Sequence, residues 1–244
     1  MFTKTFGASG RMWVALHGFG GDADRFRPLA DHLVAHRLWA PDLPGHRYTA
    51  WPKVGPVGAF STVVSQIRCA VRGIDGPRWL LGYSLGGRLG LVAWSEEPSL
   101  FEGAILIGVH PGLESAHARR ERAAQDDLRA RDLRAKGVAA FFSEWDRLPL
   151  FGGRGPISRP EHDADSLAEA LAGLSLGRMP SVRPFARASA RRGRLTGVAG
   201  QHDPKFRELL GQLGPTEVAP DCHHDVVTEQ PGWLARLMAA TGDS

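Results

Sequence analysis

The sequence has little of what would tie it to a membrane, a metal or an oxidising compartment. It contains two cysteines, Cys69 and Cys222, which lie far apart and match no metal-binding spacing. No apolar run approaches the roughly 18–20 residues of a membrane-spanning helix, and the segment Met1–Val14 lacks the basic start and apolar stretch of a secretory signal. We therefore expect a reduced, cytoplasmic protein without disulfides, structural metal or membrane insertion.

Lysine is also scarce. Only four of the 30 basic residues are lysines, and the others are arginines. The net charge is +4, but the basic residues alternate with acidic ones, as in Ala116–Lys136. No basic patch with interleaved aromatic residues is present, which argues against a nucleic-acid partner. Arginine suits an anionic small molecule better, since its planar guanidinium can hold a carboxylate through two hydrogen bonds.

With 43% hydrophobic residues in 244 positions, the chain can bury the core of one large domain, or of one domain with an insertion. Six short apolar runs predict buried strands at Met12–Leu16, Leu38–Pro41, Trp79–Gly82, Ala104–Val109, Leu195–Ala199 and Thr216–Ala219. Helical patterns separate them at Arg27–His36, Ser61–Ile74, Leu85–Ser95, Pro204–Leu213 and Gly232–Ala240. This alternation predicts an α/β fold with a mainly parallel sheet covered by helices on both faces.

The alternation breaks between His110 and Gly193, where the chain shows several helical patterns and no strand. A purely helical block between two strands is typical of an inserted cap over the carboxyl edge of the sheet. We therefore predict a core made of residues 1–109 and 194–244, with residues 110–193 as a helical cap.

The strongest chemical signal is a Gly-x-Ser-x-Gly segment from Gly82 to Gly86, between the predicted strand Trp79–Gly82 and the predicted helix Leu85–Ser95. This order is typical of a nucleophile elbow, a sharp turn that exposes a serine hydroxyl above the helix N-terminus. Small residues on both sides let such a turn close. We predict that Ser84 is the reactive residue; the alternative is an ordinary glycine-rich turn.

A second glycine-rich segment, His17-Gly-Phe-Gly-Gly21, follows the first predicted strand. In proteins with a nucleophile elbow, this loop supplies one backbone N–H of the oxyanion hole, and the residue after the nucleophile supplies the other. The predicted donors are therefore the N–H groups of Phe19 and Leu85.

The same segment also fits the glycine spacing of a dinucleotide-binding fingerprint, with Asp42 about 20 residues further on. Two features argue against a nucleotide. Asp22 and Asp24 would place negative charge beside a pyrophosphate, and Asp42 opens a loop rather than preceding a helix.

A catalytic triad needs an acid and a histidine after the serine. Asp203 follows the fifth predicted strand and His224 follows the sixth, so both lie on loops at the carboxyl edge of the sheet. We predict a triad of Ser84, Asp203 and His224. His223 is a rival base, and the spacing alone does not exclude it.

These motifs resemble those of the α/β-hydrolase fold, and of one family within it. The general ones are His17-Gly-Phe, Asp42-Leu-Pro-Gly-His and Gly82-Tyr-Ser-Leu-Gly-Gly. Five features are more discriminating. Three lie in the middle of the chain: Arg88 four residues after the serine, His110-Pro-Gly-Leu before Arg119-Arg-Glu-Arg122, and Trp145 before Leu148-Pro-Leu-Phe. Two lie near its end: Asp203-Pro-Lys-Phe-Arg, and His224 before Glu229-Gln-Pro. From about Val14 to Pro231, the chain resembles the 2-succinyl-6-hydroxy-2,4-cyclohexadiene-1-carboxylate synthases of menaquinone biosynthesis.

The resemblance implies functions for individual residues. It places the catalytic serine, aspartate and histidine on Ser84, Asp203 and His224, which favours His224 over His223. The substrate-binding positions of the family fall on Tyr83, Arg88, Arg122, Trp145 and Arg159. The chain departs from the family pattern at His223 and Arg47, where glycine is usual, at Val227, where a second histidine is frequent, and at Pro160, where polar residues are usual.

The implied reaction eliminates pyruvate from 2-succinyl-5-enolpyruvyl-6-hydroxy-3-cyclohexene-1-carboxylate, a carboxylate-rich small molecule, without a metal or organic cofactor. The same three residues would also serve a serine hydrolase acting on an ester, a thioester or a carbon–carbon bond. A non-catalytic ligand receptor is the third hypothesis, and the apparently complete triad argues against it. The sequence leaves the oligomeric state open.

Overall fold

Seven strands form one sheet in the computed structural model, which describes residues 1–153 and 157–241. The strands are β1 Thr3–Phe6, β2 Arg11–Leu16, β3 His36–Pro41, β4 Arg78–Tyr83, β5 Gly103–Ile107, β6 Leu195–Gly200 and β7 Thr216–Ala219. Their order across the sheet is β1-β3-β2-β4-β5-β6-β7. Among these seven described strands, the pairing of β1 with β3 is antiparallel and the other five pairings are parallel. The predicted α/β class with a mainly parallel sheet is confirmed.

Helices cover both faces of this sheet. They are α1 Arg27–Ala30, α2 Pro56–Arg72, α3 Ser84–Glu96, α4 Ala116–Lys136, α5 Val138–Trp145, α6 Ala164–Gly173, α7 Arg183–Arg191, α8 Pro204–Gly211, α9 Val226–Glu229 and α10 Pro231–Ala240. Alternate residues of the central strands face opposite layers, as the pleat requires. In β2, Val14 packs on the side of α2 and α3, whereas Trp13 packs on the side of α1 and α10.

The predicted helix Arg27–His36 is wrong beyond its first turn. Helix α1 ends at Ala30, and strand β3 already begins at His36. Ala35 has a φ of 58°, in the left-handed region where a helix cannot continue. The reason is topological, because the chain has to turn back within five residues to run alongside β2. Just before β3 begins, the carbonyl of Ala35 accepts a hydrogen bond from the N–H of Arg11, the first residue of β2, at 3.2 Å.

Strand β1 was not predicted, because its four residues carry almost no apolar signal. The sequence of β1 is Thr-Lys-Thr-Phe, and its side chains alternate between exposed and half-buried. It lies at the edge of the sheet and pairs with β3 from Thr3 opposite Pro41 to Phe6 opposite Leu38. Its place in the sheet therefore comes from backbone pairing with a strand distant in sequence.

Helices α4 to α7 lie between β5 and β6, and the described part of residues 110–193 contains no strand. Phe141, Phe142 and Leu171 form a small apolar core among these helices. Asp126 on α4 is 1% exposed. Its carboxylate accepts hydrogen bonds from Arg122, Arg129 and Ser175 at 2.7–2.8 Å. We propose that this block is the cap; residues 154–156 within it lie outside the described residues.

None of the helices in residues 1–153 and 157–241 combines the length and the apolarity needed to cross a bilayer.

Two fully buried histidines support the loops at the carboxyl edge of the sheet. His17 follows β2, His46 follows β3, and their rings lie 5.0 Å apart. The Nε2 atom of His17 accepts a hydrogen bond from the N–H of Leu43 at 2.9 Å. Burial lowers the pKa of His17 to about 3 and holds the pKa of His46 well below its usual value.

These lowered pKa values predict that acid destabilises the fold. The unfolded chain binds protons on both histidines below about pH 6.5, whereas the folded chain excludes them. The free energy of unfolding should therefore be highest above this pH and fall as the pH falls toward 4. The expected slope is about 1.4 kcal/mol per pH unit for each of the two histidines.

Urea denaturation at about pH 7.5, 6 and 5 measures this slope. The variant His117→Ala removes a histidine whose side chain is 74% exposed and should leave the slope unchanged. Equal free energies of unfolding at all three pH values would contradict the prediction.

Candidate active site

Ser84 is the first residue of α3 and directly follows β4, so it lies on a strand-to-helix turn. Its φ of 48° is a left-handed conformation that L residues adopt at a cost. The turn closes only because glycines flank it. A Cβ built on Gly86 would lie 2.3 Å from the carbonyl oxygen of Leu16, and one built on Gly82 would lie 2.4 Å from the Cα of Gly87.

His224 and Asp203 form a buried pair at the same edge of the sheet. The Nδ1 atom of His224 lies 2.8 Å from Oδ2 of Asp203, and both residues are 3% exposed. The other carboxylate oxygen of Asp203 accepts the N–H of Phe206 at 3.3 Å, at the start of α8. An aspartate in this position keeps the proton of the imidazole on Nδ1, so that Nε2 is free to accept a proton.

A glycine makes room for the His224 ring. Gly108, just after β5, has a φ of 59°, and a Cβ built on it would lie 2.3 Å from Cε1 of His224. The Phe206 ring lies 4.7 Å from the imidazole and the Tyr83 ring lies 5.5 Å from it. The ring is therefore held by contacts on several sides.

The structure separates the two adjacent histidines. The backbone N–H of His223 donates to Glu229 at 2.8 Å, and its ring lies beside His202 at 5.1 Å. His224, by contrast, contacts Asp203. Nδ1 of His223 lies 3.7 Å from a carboxylate oxygen of Glu229, which is too far for a hydrogen bond. The 2.8 Å contact with Asp203 therefore favours His224 as the oriented base.

Ser84 and His224 both line two cavities, of about 480 Å³ and about 140 Å³. Phe19, Trp145 and Leu150 also contribute to both walls. In the described chain Ser84 Oγ makes no hydrogen bond to His224. Catalytic hydrogen bonds are often long before substrate binds, so this does not argue against a triad.

The predicted oxyanion donors flank Ser84. Leu85 is the second residue of α3, and its N–H is one of the first four of the helix, which have no acceptor within it. Phe19 lies in the turn formed by residues 18–21, hereafter the 18–21 turn, which the N–H of Gly21 closes by donating to the Gly18 carbonyl at 3.1 Å. A Cβ on Gly18 would lie 3.6 Å from the Cβ of Ser84, so the turn and the serine are neighbours.

Arg88 and Arg122 come together in the smaller cavity. Arg88 donates to the carbonyl of Leu174 at 3.0 Å, and Nε of Arg122 donates to Asp126 at 2.8 Å. Burial, together with the neighbouring charge of Arg122, lowers the pKa of Arg88 to about 10. The guanidinium of Arg88 is still protonated at neutral pH, in surroundings that favour a bound anion.

Arg159 does not join the other two arginines. It lines the larger cavity, and both of its terminal nitrogens contact Asp146, at 2.6 and 2.5 Å. Its guanidinium also lies over the ring of Phe142, 4.0 Å from the centroid. The resemblance assigns all three arginines to the substrate, whereas in the structure Asp146 already neutralises Arg159.

The two predicted aromatic residues of the pocket are both in cavity walls. Tyr83 lines the larger cavity next to His224, and burial raises the pKa of its phenol well above the usual value. Trp145 lines both cavities and stacks on Phe141 with the ring centroids 5.5 Å apart. Both residues give the pocket apolar surface beside its charges.

Several residues to which the sequence analysis gave no role also lie at the site. Lys205 and His110 line the smaller cavity, and Asp126 and Asp146 are the acids that bind Arg122 and Arg159. Burial, followed by the charges of Arg183 and Arg88, lowers the pKa of His110 to about 4. The available signal was that His110 and Lys205 lie in two of the motifs that carried the family resemblance.

Residues 1–153 and 157–241 contain no group of three or more histidine, cysteine, aspartate or glutamate side chains that could hold a metal ion.

Comparison with known proteins gives consistent results. Residues 14–158 match the family model described as alpha/beta hydrolase fold. A 2-succinyl-6-hydroxy-2,4-cyclohexadiene-1-carboxylate synthase from Escherichia coli O1:K1 / APEC is 30% identical over 247 aligned residues, covering 96% of this chain and 94% of the relative. A synthase of the same name from Escherichia coli O81 (strain ED1a) has the same identity and coverage.

Solved structures share the fold. MenH from S. aureus superposes with a TM-score of 0.81 at 21% identity, covering 98% of this chain and 97% of that one. An esterase from Exiguobacterium antarcticum superposes with a TM-score of 0.73 at 15% identity, covering 98% and 94%. At these identities the solved structures show a shared fold, and the chemistry is argued from the residues of the site.

The geometry predicts that His224, and not His223, activates Ser84. We expect His224→Ala to slow phosphonylation of Ser84 by a fluorophosphonate by at least about a hundredfold, because the base is lost. His223→Ala is the matched control and should stay within about threefold of the wild-type rate. Mass spectrometry of the intact protein follows the labelling, and a slow His223→Ala variant beside a fast His224→Ala variant would reverse the assignment.

Proposed function

The chain belongs to the alpha/beta hydrolase family and, within it, to the 2-succinyl-6-hydroxy-2,4-cyclohexadiene-1-carboxylate synthases, and we propose that it performs their reaction. In this proposal it eliminates pyruvate from 2-succinyl-5-enolpyruvyl-6-hydroxy-3-cyclohexene-1-carboxylate. It is thus an enzyme of the hydrolase fold acting as a carbon–oxygen lyase. Its ligand is an anionic small molecule.

The observation that carries the proposal is the charge of the smaller cavity. Besides Ser84 and His224, its wall contains three cations, Arg88, Arg122 and Lys205. Asp126 is the acid in that wall, and among the described residues only Arg122 of the three pairs with it. A net positive pocket beside a buried triad suits a substrate with several carboxylates, since charge-assisted hydrogen bonds are stronger than neutral ones.

The larger cavity has a different balance. Each arginine in its wall contacts an acid: Arg25 contacts Asp225, Arg47 contacts Asp22, and Arg159 contacts Asp146. We infer that the carboxylate-rich part of the substrate lies toward Arg88 and Arg122, and that the larger cavity admits less charged parts and solvent.

The chemistry starts with a proton transfer inside the triad. His224 takes the proton of Ser84, and Asp203 stabilises the imidazolium that results. The serine oxygen then removes the proton from ring carbon 2, which is acidic because it lies next to the succinyl carbonyl. Serine acts here as a base instead of attacking the carbonyl.

The electron pair of the broken C–H bond forms the double bond between ring carbons 2 and 3. The existing double bond moves to carbons 4 and 5, and the bond from carbon 5 to the enolpyruvyl oxygen breaks. The imidazolium of His224 supplies the proton that the departing enolpyruvate needs, and this enol becomes pyruvate. The ring keeps a conjugated 2,4-diene, and protons and electrons balance without any cofactor.

During the proton abstraction, negative charge develops on the succinyl oxygen. The N–H groups of Phe19 and Leu85 are the proposed donors to it. One such donor is typically worth about 3–4 kcal/mol of transition-state stabilisation. This use of the oxyanion hole explains how a hydrolase scaffold supports an elimination.

The first test is pyruvate release from the proposed substrate, followed with lactate dehydrogenase and NADH. We expect Ser84→Ala to lower kcat by at least about a thousandfold and to leave the thermal midpoint close to that of the wild type, because the removed hydroxyl faces a cavity. A folded Ser84→Ala variant with wild-type turnover would contradict the mechanism.

The second test distinguishes the lyase from a serine hydrolase with the same triad. Arg122→Ala should lower kcat/KM for the carboxylate-rich substrate by about 10–150-fold, which corresponds to roughly 1.5–3 kcal/mol for one charge-assisted contact. The variant should barely change the hydrolysis of p-nitrophenyl acetate, a small neutral ester. Arg122→Lys should rescue only part of the loss, because lysine lacks the planar fork.

Arg120→Ala is the matched control, because Arg120 is exposed on the same helix, α4. Equal losses on both substrates would contradict carboxylate binding by Arg122. Rapid ester hydrolysis without any pyruvate release would identify the protein as a hydrolase.

A further inference from the structure

The orientation of the Phe19 N–H depends on the carbonyl of Gly18, which belongs to the same peptide unit. That carbonyl accepts the N–H of Gly21 at 3.1 Å and lies 2.8 Å from Nδ1 of His17. Because Nε2 of His17 accepts from Leu43, the proton of His17 is on Nδ1 and points at Gly18. In a planar trans peptide the C=O and N–H groups point in opposite directions, so holding the carbonyl aims the Phe19 N–H the other way.

A second histidine holds the other half of the 18–21 turn. Nε2 of His162 lies 3.1 Å from the carbonyl oxygen of Gly20, and its Nδ1 lies 3.1 Å from the backbone nitrogen of Arg47. The N–H of Arg47 can only donate, so Nδ1 is the acceptor and Nε2–H is the donor. His162 must therefore be the neutral tautomer protonated on Nε2.

The surroundings of His162 favour this neutral form. Burial lowers its pKa, and the nearby charges of Arg159 and Arg47 lower it further. Two contributions act in the opposite direction: the hydrogen bond to the Gly20 carbonyl, which is the largest after burial, and the charge of Asp42, which is the smallest. The ring packs edge-on against that of His46 at 5.7 Å, and His46 in turn contacts the Phe19 ring at 5.6 Å.

His162 comes from the cap, one residue before the N-cap of α6, whereas the turn that it holds belongs to the core. Gly20 has a φ of 72°, which the third position of a type II turn requires. Its carbonyl shares a planar peptide unit with the N–H of Gly21 that closes the turn. We propose that His162 is a positioning residue, which fixes the Gly20 carbonyl and thereby makes the oxyanion donor Phe19 competent only when the cap lies on the core. This inference rests on the proposed function.

The cap has other contacts with the same turn, so its attachment does not depend on His162. The Phe19 ring packs against Phe142 and Trp145 of the cap at 5.8 and 5.6 Å. Loss of the imidazole should consequently leave the cap docked and the substrate pocket intact. Its effect falls on the geometry of the turn, and therefore on kcat more than on KM.

Side chains that keep one of the two hydrogen bonds provide the test. His162→Gln places an amide N–H near the position of Nε2, whereas His162→Asn offers an oxygen near the position of Nδ1 and cannot reach Gly20. We expect kcat for pyruvate release to fall about tenfold or more in His162→Ala and His162→Asn, with KM within about threefold, because a misaligned donor loses part of its contribution. His162→Gln should recover kcat to within about threefold of the wild type.

Phosphonylation of Ser84 by a fluorophosphonate is the second readout, because its phosphoryl oxygen occupies the oxyanion hole whatever the natural substrate is. The labelling rates should follow the same order: wild type, then Gln, then Asn and Ala. His117→Ala is the matched control for loss of a cap histidine, since His117 is exposed on α4. It should change neither readout.

The outcomes separate this inference from the proposed function. Wild-type kcat and labelling in His162→Ala would overturn the inference. Equal losses in the Gln and Ala variants, or a change confined to KM and the thermal midpoint, would also overturn it, because they indicate a purely structural role. The wild-type protein could release no pyruvate while the labelling rates of the wild type and the His162 variants still follow the predicted order. That result would overturn the proposed function and support the inference.

Discussion

The close approach of α3 to the end of β2 is the constraint on which the site depends. The N–H of Gly86 donates to the carbonyl of His17 at 3.0 Å, and a Cβ at this position would lie 2.3 Å from the Leu16 carbonyl oxygen. This contact brings the first turn of α3 beside the 18–21 turn. It thereby places Ser84 and the proposed oxyanion donors on one side of a cavity, and any side chain at residue 86 would separate them.

The rest of the site follows from the carboxyl ends of parallel strands meeting at one edge. Asp203 follows β6 and His224 follows β7, so residues 21 positions apart in the sequence meet at 2.8 Å. The helices inserted after β5 cover this edge and supply Arg122 and Trp145. The core thus provides the proposed catalytic groups together with Arg88 and Lys205, and the proposed cap adds the charge of Arg122 and the apolar surface of Trp145.

Charge compensation divides the pocket into two parts. Arg159 has a buried carboxylate partner in Asp146, whereas the described structure gives Arg88 a backbone carbonyl as its partner. An arginine already neutralised by an acid attracts a substrate carboxylate less than one held by a neutral group. The position of an arginine in a pocket is therefore insufficient to assign it to substrate binding; its partner matters as much.

The sequence by itself determined the alternation of strands and helices, the glycines of the elbow and the chain order of serine, aspartate and histidine, because these are local patterns. It did not reveal β1 or the early end of α1, since both depend on pairing with strands distant in the sequence. The tertiary structure alone decided that His224 pairs with Asp203 and that Asp146 binds Arg159. Spacing cannot distinguish adjacent histidines or identify the acid opposite an arginine, because both depend on where remote side chains point after packing.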